Sequence, residues 1–347
     1  MPMTTMNSIH DQNKALIQPL RAALYDIDPT ALHDQLAAVF ADDAMIRLAF
    51  PFEDVDGPSD LYERVYRPLL AAMPDLERRD YIVMAGAADD RQWVGCAGYY
   101  MGVFERAWLD IPPTGHMVGM RYHEFFRIAA GQIVEMQALW DIPEVMMQAG
   151  AYPMTPSLGV EWRVPAPASQ DGILTAPYDA DHANASLALV SAMLTGLARS
   201  REGHDKMELP RFWHPKMNWY GPAGIGSMRR VSGFRNWHQI PFLKAMPDRR
   251  AFLENGNLFG DGDYVGFTAW PGMDVTLTGD GWLGLPPVNR KLTMRSLDFW
   301  RCENGRIREN WVLVDLLDVY HQLGIDVFQR MRELTHMRQP NFSGEPL

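Results

Sequence analysis

The sequence predicts an α+β protein built twice on one plan, and three observations predict it. Segments with apolar residues at helical spacing come first, followed by a run of segments rich in β-branched and aromatic residues. That order belongs to the α+β class and not to the alternating α/β class. The same order recurs further along the chain, and a proline-rich stretch divides the two occurrences.

In the first half, 12–25 and 29–40 read as helices, the second from Leu32, Leu36, Val39 and Phe40, and 60–73 continues with Leu61, Val65 and Leu69. Strands are predicted over 81–85, 93–104, 117–128 and 132–140, separated by Gly, Asp and Pro112-Pro113. In the second half, helices over 182–199 and 237–245 precede strands over 264–270, 291–301 and 306–314. Gly131 and Asn304-Gly305 fall between the last two strands of each half, where Asn-Gly is a strong hairpin signal.

The repeat can be laid on itself. A shift of 174 residues brings Met120-Arg121 onto Met294-Arg295, Phe125 onto Phe299, Asp141 onto Asp315 and Gly150 onto Gly324. Between 112–150 and 286–324, 14 of 39 positions are identical, where composition alone gives about two or three. Upstream, 68–75 matches 241–248 at a shift of 173. The expected division is a first domain over 1–150, a Pro-rich linker over 151–178, a second domain over 179–330 and a tail over 331–347.

At 47% hydrophobic and 22% charged residues, the 347-residue chain can bury a core, which excludes disorder. A net charge of −11 repels phosphate backbones and anionic lipid, so a small-molecule substrate is expected, with neither nucleic acid nor membrane as partner. Cys96 and Cys302 stand far apart, without the spacing of a zinc site or a disulfide framework. Residues 1–14 lack a basic stretch followed by an apolar one, and the cytoplasm is the expected compartment.

The pattern Pro-Pro-Thr-Gly (112–115), Arg295-Ser-Leu-Asp-Phe-Trp-Arg301, Asn304-Gly-Arg-Ile-Arg-Glu-Asn-Trp311, Asp315 and Gln322-Leu-Gly324 resembles the SnoaL-like polyketide cyclases, a group within the nuclear transport factor 2-like superfamily. The resemblance covers both halves. It implies two repeated cone-shaped domains, each a curved antiparallel sheet wrapped around three helices with a pocket inside. It implies less about chemistry, since relatives include aldol cyclases, dehydratases, epoxide hydrolases, isomerases and binders without turnover. Single-domain relatives commonly dimerise through the outer sheet face. The resemblance therefore implies an intramolecular pseudo-dimer that buries the faces of Phe125 and Phe299, with a homo-oligomer left open.

Side chains alternate along 291–301, so Met294, Ser296, Asp298 and Trp300 share one face and Arg295, Leu297, Phe299 and Arg301 the other. The resemblance places the family's inward-pointing strand histidine on Asp298, and on Glu124 in the first half. A carboxylate buried beside Trp300 or Phe126 would be desolvated, which raises its pKa toward the range of a general acid or base. The other reading is a strand carboxylate satisfied by an arginine. The family's catalytic aspartate on the final strand falls on Val312 and Ala138, so its aldol mechanism does not carry over intact.

His238 has no counterpart histidine in the first half and is the third catalytic candidate, against the reading of a core or surface histidine. Trp219, Tyr220, Trp270, Trp282 and Trp300, with Asn310, are expected to enclose a flat apolar substrate, unless the tryptophans simply fill a wide cone. The first half, offering mainly Met, Ala and Phe at the corresponding places, is expected to be scaffold. Three other features point away from chemistry. Gly221, Gly224 and Gly226 do not form a dinucleotide fingerprint, Asp141 and Asp315 read as helix caps partnered by Glu144 and Asp318, and no histidines pair at metal-ligand spacing. No metal and no cofactor are expected. The function predicted is a cofactor-independent cyclase, isomerase or dehydratase acting on a small apolar or aromatic carbonyl compound by carboxylate acid/base catalysis. The alternative is a module that binds a small ligand, or assembles, without turnover.

Overall fold

The computed structural model describes residues 8–199 and 204–335. The first domain opens with helices Ile9–Tyr25 and Pro29–Val39. Ser8 and Asp11 cap the first reciprocally, while Asp28 accepts from Ala31 N and Pro29 begins the second, so side chains satisfy N–H groups that the helix leaves free. Leu32, Leu36 and Val39 are buried, as their spacing predicts. Six strands form the sheet: β1 (Phe40–Leu48), β2 (Asp54–Asp56), β3 (Glu77–Ala88), β4 (Arg91–Val103), β5 (Met117–Ala129) and β6 (Gln132–Trp140). Their spatial order is β2-β1-β6-β5-β4-β3. A helical stretch over 57–72, π-helical at Tyr62–Tyr66, crosses between β2 and β3, and helix Ile142–Gln148 follows β6.

The second domain repeats this plan. Helix Ala180–Ala198 is followed by β7 (Trp213–Tyr220), β8 (Ser227–Arg229) and a helical stretch over 230–245, π-helical at Arg235–Gln239. Then come β9 (Arg250–Ala251), β10 (Asn257–Asp261), β11 (Tyr264–Thr276), β12 (Lys291–Glu303) and β13 (Arg306–Val314), with helices Leu316–Gln322 and Val327–Thr335. The order is β10-β11-β12-β13-β7-β8, with β9 beside β11, so the counterpart of β3 is split in two.

The strands pair antiparallel except β1 with β6 and β7 with β13, which run parallel. Sequence patterning predicted β6 and β13 but missed β1 and β7. The segment of β1 leaves a helix directly and carries adjacent aspartates at its start, and β7 contains Pro215, which sits where the pairing with β13 is interrupted. The hairpin signal holds: Asn304 and Gly305 have φ of 52° and 69°, and Ala130 and Gly131 have 51° and 77°. Among the described residues no helix is long and apolar enough to cross a membrane.

Each sheet turns one face to its own helices and the other to its sister sheet. A separate apolar cluster fills the seam between the sheets, with Phe125, Phe259, Leu297, Phe299 and Trp311 at its heart. At the ends of the seam, polar side chains cross between domains. Arg121 donates to the carbonyls of Gly221 at 2.6 Å and Val312 at 3.2 Å, and Asp141 accepts from Ala223 N at 2.9 Å. The counterpart pair repeats this: Arg295 meets Glu53 at 2.6 Å, and Asp315 accepts from Phe50 N at 2.9 Å. The segment over 151–178 runs along the same seam, bridging to Ser227 through Val160 and to Val83 through Ile173.

Candidate active site

The alternation along β12 sets the floor of a cavity in the second domain. Met294, Ser296, Asp298 and Trp300 line it, joined by Asn310, Val312 and Val314 from β13 and by Trp213 and Trp219 from β7. The roof comes from the helical stretch over 230–245, where Phe234, His238 and Phe242 recur every four residues and so share a face. His238 stacks on Trp219 with ring centres 4.3 Å apart and planes 20° apart, and Phe242 meets Trp282 edge-on at 5.4 Å. The cavity measures about 160 Å³. A dry cavity of ~150 Å³ is enough for benzene, so a ring compound fits.

Asp298 is the carboxylate of this site. Burial pushes its pKa up to about 7, and the one hydrogen bond it makes among the described residues, from Ser296 Oγ at 2.8 Å, offsets only part of that. Such a raised pKa lies in the range that suits a general acid or base near neutral pH. His238 is held neutral by contrast: burial, reinforced by the positive charge of Arg249, lowers its pKa to about 3. Four residues lining the cavity have buried polar atoms with no hydrogen-bond partner among the described residues: Trp213 Nε1, His238 Nδ1, Gln239 Oε1 and Trp300 Nε1. Polar atoms left so in an interior are costly.

Of the expected lining residues, Trp219, Trp282, Trp300 and Asn310 reach the cavity with Asp298 and His238. Tyr220 and Trp270 lie elsewhere. Tyr220 neighbours Trp219 on one strand and must point the other way, where its hydroxyl donates to Glu309 at 3.0 Å in the seam. Trp270 is on the outer face of β11, with the Arg295 guanidinium 4.8 Å from its ring centre.

Glu124 occupies the position equivalent to Asp298 and has a different setting. It is fully buried and accepts from Arg78 at 2.5 Å, Trp140 Nε1 at 3.0 Å and Tyr100 at 3.1 Å. It is the strand carboxylate satisfied by an arginine. Beside the Met, Ala and Phe expected from the sequence, Tyr66, Tyr100, Tyr122 and Trp140 pack in the first cone; Tyr66 bonds to Tyr100, Tyr100 and Trp140 donate to Glu124, and Tyr122 donates to Asp80.

Other sequence features resolve into packing. Asp315 caps its helix by accepting from Asp318 N at 3.1 Å, but Asp141 makes no cap bond because its carboxylate faces Ala223 and Arg121 of the seam. Gly226, with φ of 79°, passes so close to Gly159 that a Cβ would sit 2.6 Å from that backbone. The glycines of 221–226 thus admit the linker, not a phosphate. Sequence reasoning missed Phe234, Gln239 and Phe242; the four-residue spacing of Phe234 and Phe242 about His238 was present but lay across a π-helical turn it did not anticipate. Among the described residues no three His, Cys, Asp or Glu side chains converge as metal ligands would.

Comparison with known proteins agrees with the repeat. The family model described as SnoaL-like polyketide cyclase matches residues 20–149 and again 191–323. Among solved structures, similar chains include a protein of Jannaschia sp. CCS1 classed with the SnoaL-like polyketide cyclases, at 20% identity, covering 42% of this chain and 95% of that one, with a TM-score of 0.36. An NTF2-like protein of Burkholderia thailandensis E264 is 21% identical over 41% of this chain and 97% of its own, with a TM-score of 0.31. TsrD of Streptomyces laurentii is 17% identical over 40% and 95%, with a TM-score of 0.33. No curated protein matches the sequence. With the family pattern matched twice, over most of its length, the chain belongs to the SnoaL-like polyketide cyclase family and carries two copies of that domain in tandem.

Proposed function

We propose that the second domain is an enzyme that moves a proton on a small, largely apolar carbonyl compound, with Asp298 as the general acid or base. The observation that carries this is a single carboxylate with a pKa raised to about 7, lining a ring-sized cavity between aromatic walls. Burial strips water from the carboxylate, so proton abstraction next to a carbonyl, or assistance to departing water, is the chemistry it serves best. His238, neutral and aromatic-stacked, is proposed to hydrogen-bond the substrate oxygen, and Trp219, Trp282 and Trp300 to hold the ring. Such proton transfer requires no cofactor.

A second reading, binding without turnover, is favoured by Val312, which lines the cavity where the resemblance places the family's aspartate. Proton exchange separates the two. Candidate ketones incubated with the protein in heavy water should gain deuterium next to the carbonyl, and Asp298→Asn should abolish the gain. Exchange that persists unchanged in Asp298→Asn removes Asp298 from the mechanism.

A further inference from the structure

The cavity exists because five positions that are large in the first domain are smaller in the second. Cross-strand pairing fixes the equivalences. Tyr122 opposes Trp140 as Ser296 opposes Val314, and Tyr100 opposes Met120 as Met273 opposes Met294. Arg78 in turn opposes Tyr100 as Ala251 opposes Met273. Tyr66 and Gln239 each end the π-helical turn of their domain. Thus Tyr66, Arg78, Tyr100, Tyr122 and Trp140 become Gln239, Ala251, Met273, Ser296 and Val314, and all five of the latter line the cavity.

In the first domain the larger side chains converge on the carboxylate. Arg78, Tyr100 and Trp140 donate to Glu124, Tyr66 bonds to Tyr100 at 3.0 Å, and the Arg78 guanidinium lies 4.3 Å from the Tyr122 ring centre. The first cone therefore holds, in its own side chains, an occupant made of ring faces and hydrogen-bond donors aimed at the buried acid.

We infer that the ligand of the second cone stands where this plug stands: a neutral ring compound whose hydroxyl donates to Asp298. A hydroxyl is the neutral group that donates to the equivalent carboxylate in the first cone, where Tyr100 donates to Glu124. A cation would meet the charge of Arg249, which lines the same cavity and already bears on His238. An anion would face Asp298 in a site with little water to screen them. Gln239, Ala251, Met273, Ser296 and Val314 then decide which rings fit.

This deepens the proposed function and rests on the same cavity, but it is tested by binding and not by turnover. 4-Hydroxyacetophenone, 4-methoxyacetophenone, benzamidinium and benzoate are titrated into the full chain, followed by tryptophan fluorescence and calorimetry. The hydroxy ketone should bind at least about tenfold tighter than its methoxy analogue, since the methoxy group leaves the acid unpaired. Ser296→Tyr and Ala251→Arg, which restore first-domain side chains, should each weaken that binding at least about tenfold in protein that circular dichroism shows to be folded; if one variant does not fold, the other decides. Equal binding of the two ketones, tighter binding of the cation or the anion, no binding by any probe, or unchanged affinity in the refilled variants overturns the inference. A retained hydroxyl preference without deuterium exchange would sink only the catalytic reading. Exchange without that preference would sink only the ligand assignment.

Discussion

Phe125 stacks on Phe299 with ring centres 4.8 Å apart and planes inclined by 20°. The two residues are separated by the repeat interval of 174, so each copy of the domain presents the same side chain to the other at the middle of the seam. Gly95 leaves room for this pair, since a Cβ there would lie 2.8 Å from the Phe299 ring. Truncating either ring to alanine is expected to cost about 3–5 kcal/mol. The double variant should lose less than the sum, by about 1 kcal/mol, because one contact is counted twice. Urea unfolding of the three variants measures this, and strict additivity would show that the rings do not depend on each other.

Asp298 should cost stability as the pH rises. Its folded pKa lies near 7, against 3.8 for an ordinary aspartate. Below pH 4 both folded and unfolded chains hold the proton and nothing is lost. Between pH 4 and 7 the unfolded chain releases it while the folded chain does not, and stability falls until the folded pKa is passed. Asp298→Asn keeps the shape without the charge, so it should match wild type near pH 4 and exceed it by about 2–4 kcal/mol at pH 8.5. An equal gap at both pH values contradicts this.

Substitution at Glu124 should move stability the other way. Replacing it with glutamine removes the nearer of the two carboxylates beside Arg78 and leaves Asp80 at 3.0 Å, so the buried charge is left short of one partner at a cost of up to about 3 kcal/mol. Thermal melts of Glu124→Gln and Asp298→Asn at pH 8 should therefore move to opposite sides of wild type. Shifts in the same direction would mean that the two carboxylates are not differently paired.

His238 should show no titration across the physiological range. With its pKa lowered to about 3, its imidazole resonances should stay at neutral positions from pH 5 to 8. Nitrogen-15 imidazole spectra assigned through His238→Phe read this directly, and a midpoint near 6.5 would place the ring in water.

What the sequence disclosed followed from periodicity and duplication. The alternation along β12 predicted that Asp298, Ser296 and Trp300 face one space, and they do. It could not separate Asp298 from Glu124, because the difference lies in neighbours brought in by other strands: Arg78 from β3 and Tyr100 from β4 against Ala251 and Met273. Composition was incomplete for the first cone, where Met120, Met136 and Phe126 are joined by the tyrosines. Adjacent aromatics were also read together, yet Trp219 and Tyr220 face opposite sides of β7. Counting parity along each strand would have parted them.

Joining the two cones in one chain has a genetic consequence. In a dimer of identical subunits every substitution enters both sites at once, so a change that seals one seals the other. Here Arg78 and Ala251 are encoded separately, and one half can be closed around its acid while the other stays open. The closed half is then free to accumulate tight packing that would abolish a working site, and the open half can keep an acid that favours unfolding. Heredity, in such a protein, can act on rigidity and reactivity at different addresses.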